Sequence, residues 1–260
     1  MTDLSPATSK AKPALWILVI LAALSPLAIN LFVPSMPSIS KDLDASYATI
    51  QLGLSLYLMM TAVVSLIAGP ISDKFGRKPV LLGAFLIFLV GSAMCIFSNN
   101  AAVFLAGRVI QTASSAGMVL SRAIVRDVYP REKSASMIGY VVMGMAVAPM
   151  IGPAIGGYID GIAGWRWSFA MLAAFGFVAV TATWTSLPET NSFVGQSAAS
   201  QLRAYRDVLR MPLFWLYTAS AALASAVFFG FLGGGPAVSS VFFEQTPLQY
   251  GLYFSLCAVG

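Results

Sequence analysis

Gly69-Pro70-Ile71-Ser72-Asp73-Lys74-Phe75-Gly76-Arg77-Lys78-Pro79 is the stretch on which the fold turns. Apolar runs lie on both sides of it, over 47–71 and 79–98. Each is long enough to cross the hydrocarbon of a bilayer as a helix, which takes about 20 residues. The charged block between them therefore reads as a turn at a membrane surface. Gly69 has the small side chain that lets a neighbouring helix come close. Asp73 is placed to face a helix N-terminus and a nearby arginine. Gly76 permits a tight turn, and Arg77 and Lys78 suit an anionic leaflet. The plainer alternative is a solvated turn whose charges only set topology.

Composition agrees with that reading. Hydrophobic residues make up 58% of the 260-residue chain and charged residues 10%, against about 25% charged in soluble domains. The mean hydropathy is +0.81. The chain has no histidine, which excludes Ser-His triads, Cys-His dyads and histidine-ligated zinc. Its two cysteines, Cys95 and Cys257, lie in apolar blocks and define no disulfide or metal spacing. No enzyme, cofactor, metal or nucleic-acid partner is expected.

Further spans read at roughly 14–38, 101–126, 135–159, 166–187 and 212–237. An eighth apolar run opens near Pro247 and stops at Gly260, so the chain reads as apparently truncated. With the N-terminus in the cytoplasm, one side holds 12 Lys and Arg, from Lys10 to Arg210. The other holds Lys41 and Arg166, and Arg108 falls inside a span. That asymmetry orients the protein with Asp73–Lys78 inside. The expected layout is a cytoplasmic tail (1–13), a six-helix bundle (14–187), a cytoplasmic linker (188–211) and the start of a second bundle (212–260). In the linker, Leu202, Tyr205, Val208 and Leu209 share one face of a possible surface helix.

The Asp73 block resembles the loop signature of the major facilitator superfamily, Gly-x-x-x-Asp-x-x-Gly-Arg-Lys. In span 4, Arg108-Val109-Ile110-Gln111 looks like that family's Arg-x-x-Gln signature. Arg108 is about seven residues, or ~10 Å, from the outer end. A charge at mid-helix costs about 2.5–3.5 kcal/mol on insertion scales. Two readings stay open: it faces an aqueous cavity, or it snorkels to the interface. Span 4 continues into Ala116-Gly117-Met118-Val119 and Arg122-Ala123-Ile124-Val125-Arg126-Asp127, similar to the bicyclomycin/chloramphenicol-resistance branch of drug–proton antiporters. Arg122, Arg126 and Asp127 are either partners of Asp73 or inside-surface anchors.

Span 5 carries Gly152-Pro153-Ala154-Ile155-Gly156-Gly157, similar to the antiporter motif Gly-x-x-x-Gly-Pro-x-x-Gly-Gly, with its leading glycine displaced to Gly144. Gly152 and Gly156 share a face suited to close packing, and Pro149 and Pro153 suit a kink. The competing reading is ordinary small-residue packing. Trp165-Arg166-Trp167 reads as interfacial anchoring, and Leu187-Pro188-Glu189-Thr190 resembles the family's exit from span 6.

Span 1 departs from the branch, which has an acid where this chain has Asn30. No acid is read in mid-span, so proton coupling through span 1 is in doubt. Arg108 alone does not titrate near neutrality.

The resemblance implies an all-α major facilitator fold: a complete six-helix half plus span 7 and part of span 8. It implies a multi-pass protein of the bacterial inner membrane that exports drug-like or amphipathic small molecules in exchange for protons, as a monomer when complete. The partners would be a small-molecule substrate, protons and the lipid bilayer. Asn30, Tyr57, Arg108, Gln111 and Met143 are the candidate substrate contacts, with Arg108 in proton coupling. The Asp73 block with Arg122, Arg126 and Asp127 is the candidate gate. The alternatives are a facilitator of a different small metabolite, or a non-transporting remnant.

Overall fold

A computed structural model describes residues 13–191 and 207–259, with side chains described to residue 256. The described residues are helical, with α1 Leu15–Asn30, α2 Met36–Asp42, α3 Tyr47–Phe75, α4 Arg77–Ile96, α5 Ala101–Gln111 and α6 Ser115–Val128. After these come α7 Arg131–Ala163, α8 Trp165–Ser186, α9 Pro212–Phe242 and α10 Pro247–Val259. Seven membrane-length apolar helices or helix pairs result, and α10 begins an eighth. Half of the proposed linker face, Leu202 and Tyr205, lies outside the described residues.

Two expected spans are broken rather than continuous. Span 1 is α1 and α2 joined by a 3₁₀ turn at Val33–Ser35. Pro34 and Pro37 each remove a backbone donor there, which favours a break in the helix. Span 4 is α5 and α6 joined by a 3₁₀ turn at Thr112–Ser114. The hydroxyls of Thr112, Ser114 and Ser115 donate to carbonyls three residues back, at 2.6, 2.9 and 2.7 Å. Such bonds draw a backbone away from α geometry.

The turns at the two ends of the bundle each use a glycine. Gly76 (φ +99°) separates α3 from α4, and Gly164 (φ +90°) separates α7 from α8. At Gly76 any other residue would be strained, and a Cβ there would also sit 2.6 Å from Glu189 Oε2.

α1 is the most enclosed span. It packs on α6, α7 and α8, with Leu18, Leu21, Ala22 and Ala28 fully buried. Small residues of α7 let it come in close. Val19 of α1 occupies the space at Gly144, and a Cβ on Gly152 or Gly156 would overlap Asn30 or the Leu31 carbonyl. The outward faces of α3, α7, α8 and α9 expose Leu66, Ile151, Phe177 and Leu223. Hydrocarbon, not water, is the solvent that such surfaces fit.

α9 and α10 meet the first six spans at the Gly164 end. The Tyr47 hydroxyl donates to the Gly233 carbonyl at 2.9 Å. Pro247 of α10 lies against Gly157 of α7, and Gly251 against Pro153. Pro212–Phe228, toward the Gly76 end, is almost wholly exposed.

Candidate functional site

Arg108 is completely buried, which rules out snorkelling as the account of its position. It sits in α5 one turn before the 3₁₀ break. Its Nη1 donates to Gln111 Oε1 at 2.8 Å and to the Ala28 carbonyl, in the last turn of α1, at 3.2 Å. The guanidinium carbon lies 4.5 Å from the ring centroids of both Phe32 and Tyr57. No described carboxylate forms an ion pair with it. Neutral carbonyls and aromatic faces therefore hold this charge, each ring contributing about 0.5–2 kcal/mol. Nε and Nη2 are buried without a hydrogen-bond partner among the described residues.

Around the guanidinium runs a polar chain. Gln111 Nε2 donates to Ser92 Oγ at 2.8 Å, and Ser92 Oγ donates to the Phe88 carbonyl at 2.9 Å. The Tyr57 hydroxyl shares hydrogen bonds with Ser25 and Ser114 at 3.1 and 3.0 Å. Five of the first six spans thus meet around one charge: α1, α3, α4, the broken α5–α6 span and, through Phe169 at 5.9 Å, α8.

Of the five candidate substrate contacts, the structure brings together Tyr57, Arg108 and Gln111. Asn30 lies apart, against α7 at Gly152. Its Nδ2 donates to the Pro26 carbonyl at 2.8 Å, while its Oδ1 is buried without a partner. Met143 is 63% exposed. It points away from the α7 face that carries the buried Val141 and Met145, since two residues turn a helix by about 200°. The residues the sequence reading missed are Ser25, Ser92, Ser114, Phe32 and Phe169. Hydroxyls recurring inside apolar spans were the available signal.

At the Gly76 end, Arg77 bridges two acids. Its Nη1 lies 2.6 Å from Asp73 Oδ1, and its Nε donates to Asp127 Oδ2 at 3.0 Å. Arg77 is therefore an internal ion-pair residue, 7% exposed, and not a leaflet anchor as expected. It also takes the place expected for Arg122 or Arg126: the described ion pairs of Asp73 and Asp127 are with Arg77. Arg122 Nε is buried without a partner. Gly69 corrects another expectation, for nothing lies within 4 Å of a Cβ placed there.

Asp73 does not hold the N-terminus of α4; Glu189 does. The Arg77 and Lys78 backbone amides donate to Glu189 Oε1 and Oε2 at 2.9 and 3.1 Å. Asn191 Nδ2 donates to the Ser72 and Asp73 carbonyls, at 3.1 and 2.9 Å, where α3 ends. The exit from span 6 thus closes both helix ends at this turn. A cap of this kind is worth on the order of 1 kcal/mol. Glu189→Ala is expected to lower the melting temperature in detergent by a few degrees, with Glu189→Gln retaining part of the loss, as read by thermal unfolding of the purified protein.

At the opposite end Arg166 ties three elements. It pairs with Asp42 at 2.5 Å and donates to the Ile96 and Ser98 carbonyls at 3.1 and 2.9 Å. Only one of the flanking tryptophans suits an interfacial anchor. Trp167 is 61% exposed, whereas Trp165 is buried edge-on against Phe104 and Phe169.

Residues 18–260 match the sequence profile described as Major Facilitator Superfamily. The chain belongs to that superfamily. A chloramphenicol resistance protein of Pseudomonas aeruginosa is 34% identical to this major facilitator chain over 238 residues, 91% of this chain and 56% of that protein. A bicyclomycin resistance protein homolog of Haemophilus influenzae is 27% identical, over 91% of this chain and 61% of that protein. The likeness to the drug-resistance branch therefore holds over nearly the whole major facilitator chain. The chain spans a little over half the length of such relatives. Among solved structures, a bacterial homolog of the human lysosomal transporter Spinster aligns with a TM-score of 0.76 at 19% identity, over 94% of this chain and 58% of that one. That likeness shows the fold.

Proposed function

We propose that this chain belongs to a secondary transporter that exports drug-like or amphipathic small molecules across the bacterial cytoplasmic membrane by proton antiport. The names of its relatives support the substrate class. The Lys and Arg asymmetry supports a cytoplasmic Gly76 end.

The observation that carries the mechanism is the two-sided packing of α7. One face, Gly152 and Gly156, seats α1 backbone; the adjoining face, Pro153 and Gly157, seats α10 backbone at Gly251 and Pro247. This packing supports α7 as the join between the first bundle and the second at the external end. Contacts between such small residues are shallow and separate without dragging long side chains out of pockets. Rocking of the two halves about this seam would be alternating access.

Arg108 would serve as the coupling charge. Its two unpartnered nitrogens lie at the broken part of α1, where a shift of Leu31–Ser35 would bring them to a solute, a water or an acid. Tyr57 and Gln111 would move with it. Asn30 would offer its free Oδ1, and Met143 an adaptable apolar surface. Asp73, Gly76, Arg77, Lys78 and Asp127, with Gly69, Arg122 and Arg126 beside them, would form the cytoplasmic gate.

The test is drug susceptibility. The full-length protein, expressed in a strain stripped of its own exporters, should raise resistance to chloramphenicol or bicyclomycin severalfold. A protonophore should reduce drug efflux to the level of cells lacking the protein. Efflux indifferent to the protonophore would contradict proton coupling.

A further inference from the structure

We propose that Asp160 is a proton-binding site at the external contact between the two halves. The inference rests on the antiport reading and supplies an acid that span 1 lacks.

Asp160 lies in the last turn of α7, one turn beyond Gly157, whose backbone meets Pro247 of α10. It is half-buried. Its Oδ2 accepts a 2.6 Å hydrogen bond from Ser38 Oγ of α2. The ion pairs among the described residues do not include it. Asp73, Asp127 and Asp42, by contrast, are all matched by arginine.

Ser38 opens onto a crevice of about 200 Å³ between α2 and the α9–α10 corner, shared with Lys41, Ser239, Gln245, Thr246 and Tyr250. That volume holds several waters at about 30 Å³ each. The Tyr250 hydroxyl at its wall is buried without a partner among the described residues, as such a water would satisfy. Asp160 is linked to the crevice through Ser38, and the crevice would carry external water up to that hydrogen bond.

The ionisable groups at this end of the surrounding elements are Lys41 and Asp42 on α2, Asp44 after it, Tyr47 on α3, Tyr158 on α7, Arg166 on α8, Glu244 before α10, and Tyr250 and Tyr253 on α10. Asp42 and Arg166 neutralise each other at 2.5 Å. Lys41 is the cation of the crevice and does not pair with Asp160.

When the halves part, the crevice widens and water hydrates the carboxylate. When they close, hydration falls to the few waters the crevice holds, and a carboxylate with one hydroxyl donor and no cation paired to it is favoured in its protonated form. Proton uptake from external water onto the free Oδ1 and closure of the external contact therefore promote each other, by reciprocal linkage. An exporter that has released its solute outside needs that step in order to turn inward again.

Ser240 also lines the crevice and makes a convenient probe. The experiment uses the full-length protein carrying Ser240→Cys, with Cys95→Ala and Cys257→Ala, in whole cells treated with an impermeant maleimide. Labelling, divided at each pH by that of the same cysteine in denatured protein to remove the thiol's own ionisation, should rise severalfold from about pH 5 to about pH 8, the range that brackets a perturbed carboxyl group; the same ratio is read for each variant. Asp160→Asn keeps a partner for Ser38 and should make labelling low and flat. Ser38→Ala removes a donor to the charged form, so the rise should persist with its midpoint moved to higher pH; a purely structural Ser38 would not move it. A rise unchanged in Asp160→Asn overturns the proposal, as does labelling that is flat in every variant. Proton-driven efflux measured in parallel separates the two failures. Its absence from the unsubstituted protein sinks the antiport reading, whereas equal efflux and an equal pH profile with Asp160→Asn sink only the Asp160 assignment.

Discussion

Arg108→Met is expected to abolish drug efflux while leaving the protein folded and as thermostable as the parent, or more so. The guanidinium is wholly buried, two of its nitrogens lack partners, and it has no described carboxylate to neutralise it. Taking a charge out of water costs several kcal/mol, and replacing buried ionic groups by apolar ones of similar volume is often neutral or stabilising. Methionine fits between the Phe32 and Tyr57 rings, where sulfur–aromatic contact replaces cation–π contact. Gln111 and the Ala28 carbonyl lose a donor, which offsets part of the gain. If Arg108 is there only to hold five spans together, the opposite pattern follows: lower stability and retained efflux in the molecules that fold. Efflux per folded molecule, with melting measured on the same preparation, decides between them.

Gly156→Val should be among the most destructive single changes at the described residues. A Cβ at that position overlaps the Leu31 carbonyl, and a β-branched side chain has no rotamer that avoids it. The carbonyl belongs to the turn that leads into the Val33–Ser35 break, so it cannot retreat without moving α1 off α7. Overpacking of this kind costs about 3 kcal/mol and sometimes more. The expected result is loss of the monodisperse peak on detergent size exclusion and severalfold lower membrane yield. Gly161→Ala, one turn further along α7 with nothing within 4 Å of its Cβ, should behave as the parent. Equal yields from both would show that the α1–α7 seam is looser than described.

The spans were legible because hydrocarbon imposes length and composition on them, and their ends fall within a few residues of the expected places. Glycine and proline were legible where each acts alone, as at Gly76. The breaks in spans 1 and 4 were harder to read. Pro34 and Pro37 stood in view, but apolar content masks a 3₁₀ turn, and the hydroxyl bonds of Thr112–Ser115 leave no trace in hydropathy. Gln111 could be paired with Arg108 because three residues on one helix fix their proximity. Phe32, Tyr57 and Phe169 come from three other spans, and only tertiary packing brings them to one charge. Glu189 shows a second limit. Its segment was recognised by resemblance, yet its task, closing a helix more than 100 residues earlier, needed the fold.

Proton-linked exchange is tested most directly in proteoliposomes of the purified full-length protein, loaded with a fluorescent drug analogue and a pH-reporting dye. An imposed pH gradient should drive the analogue against its own concentration gradient, and an opposed analogue gradient should move protons the other way, both lost in Arg108→Met. Movement of the analogue only down its gradient, at a rate indifferent to pH on either side, would mark a facilitator and contradict the account.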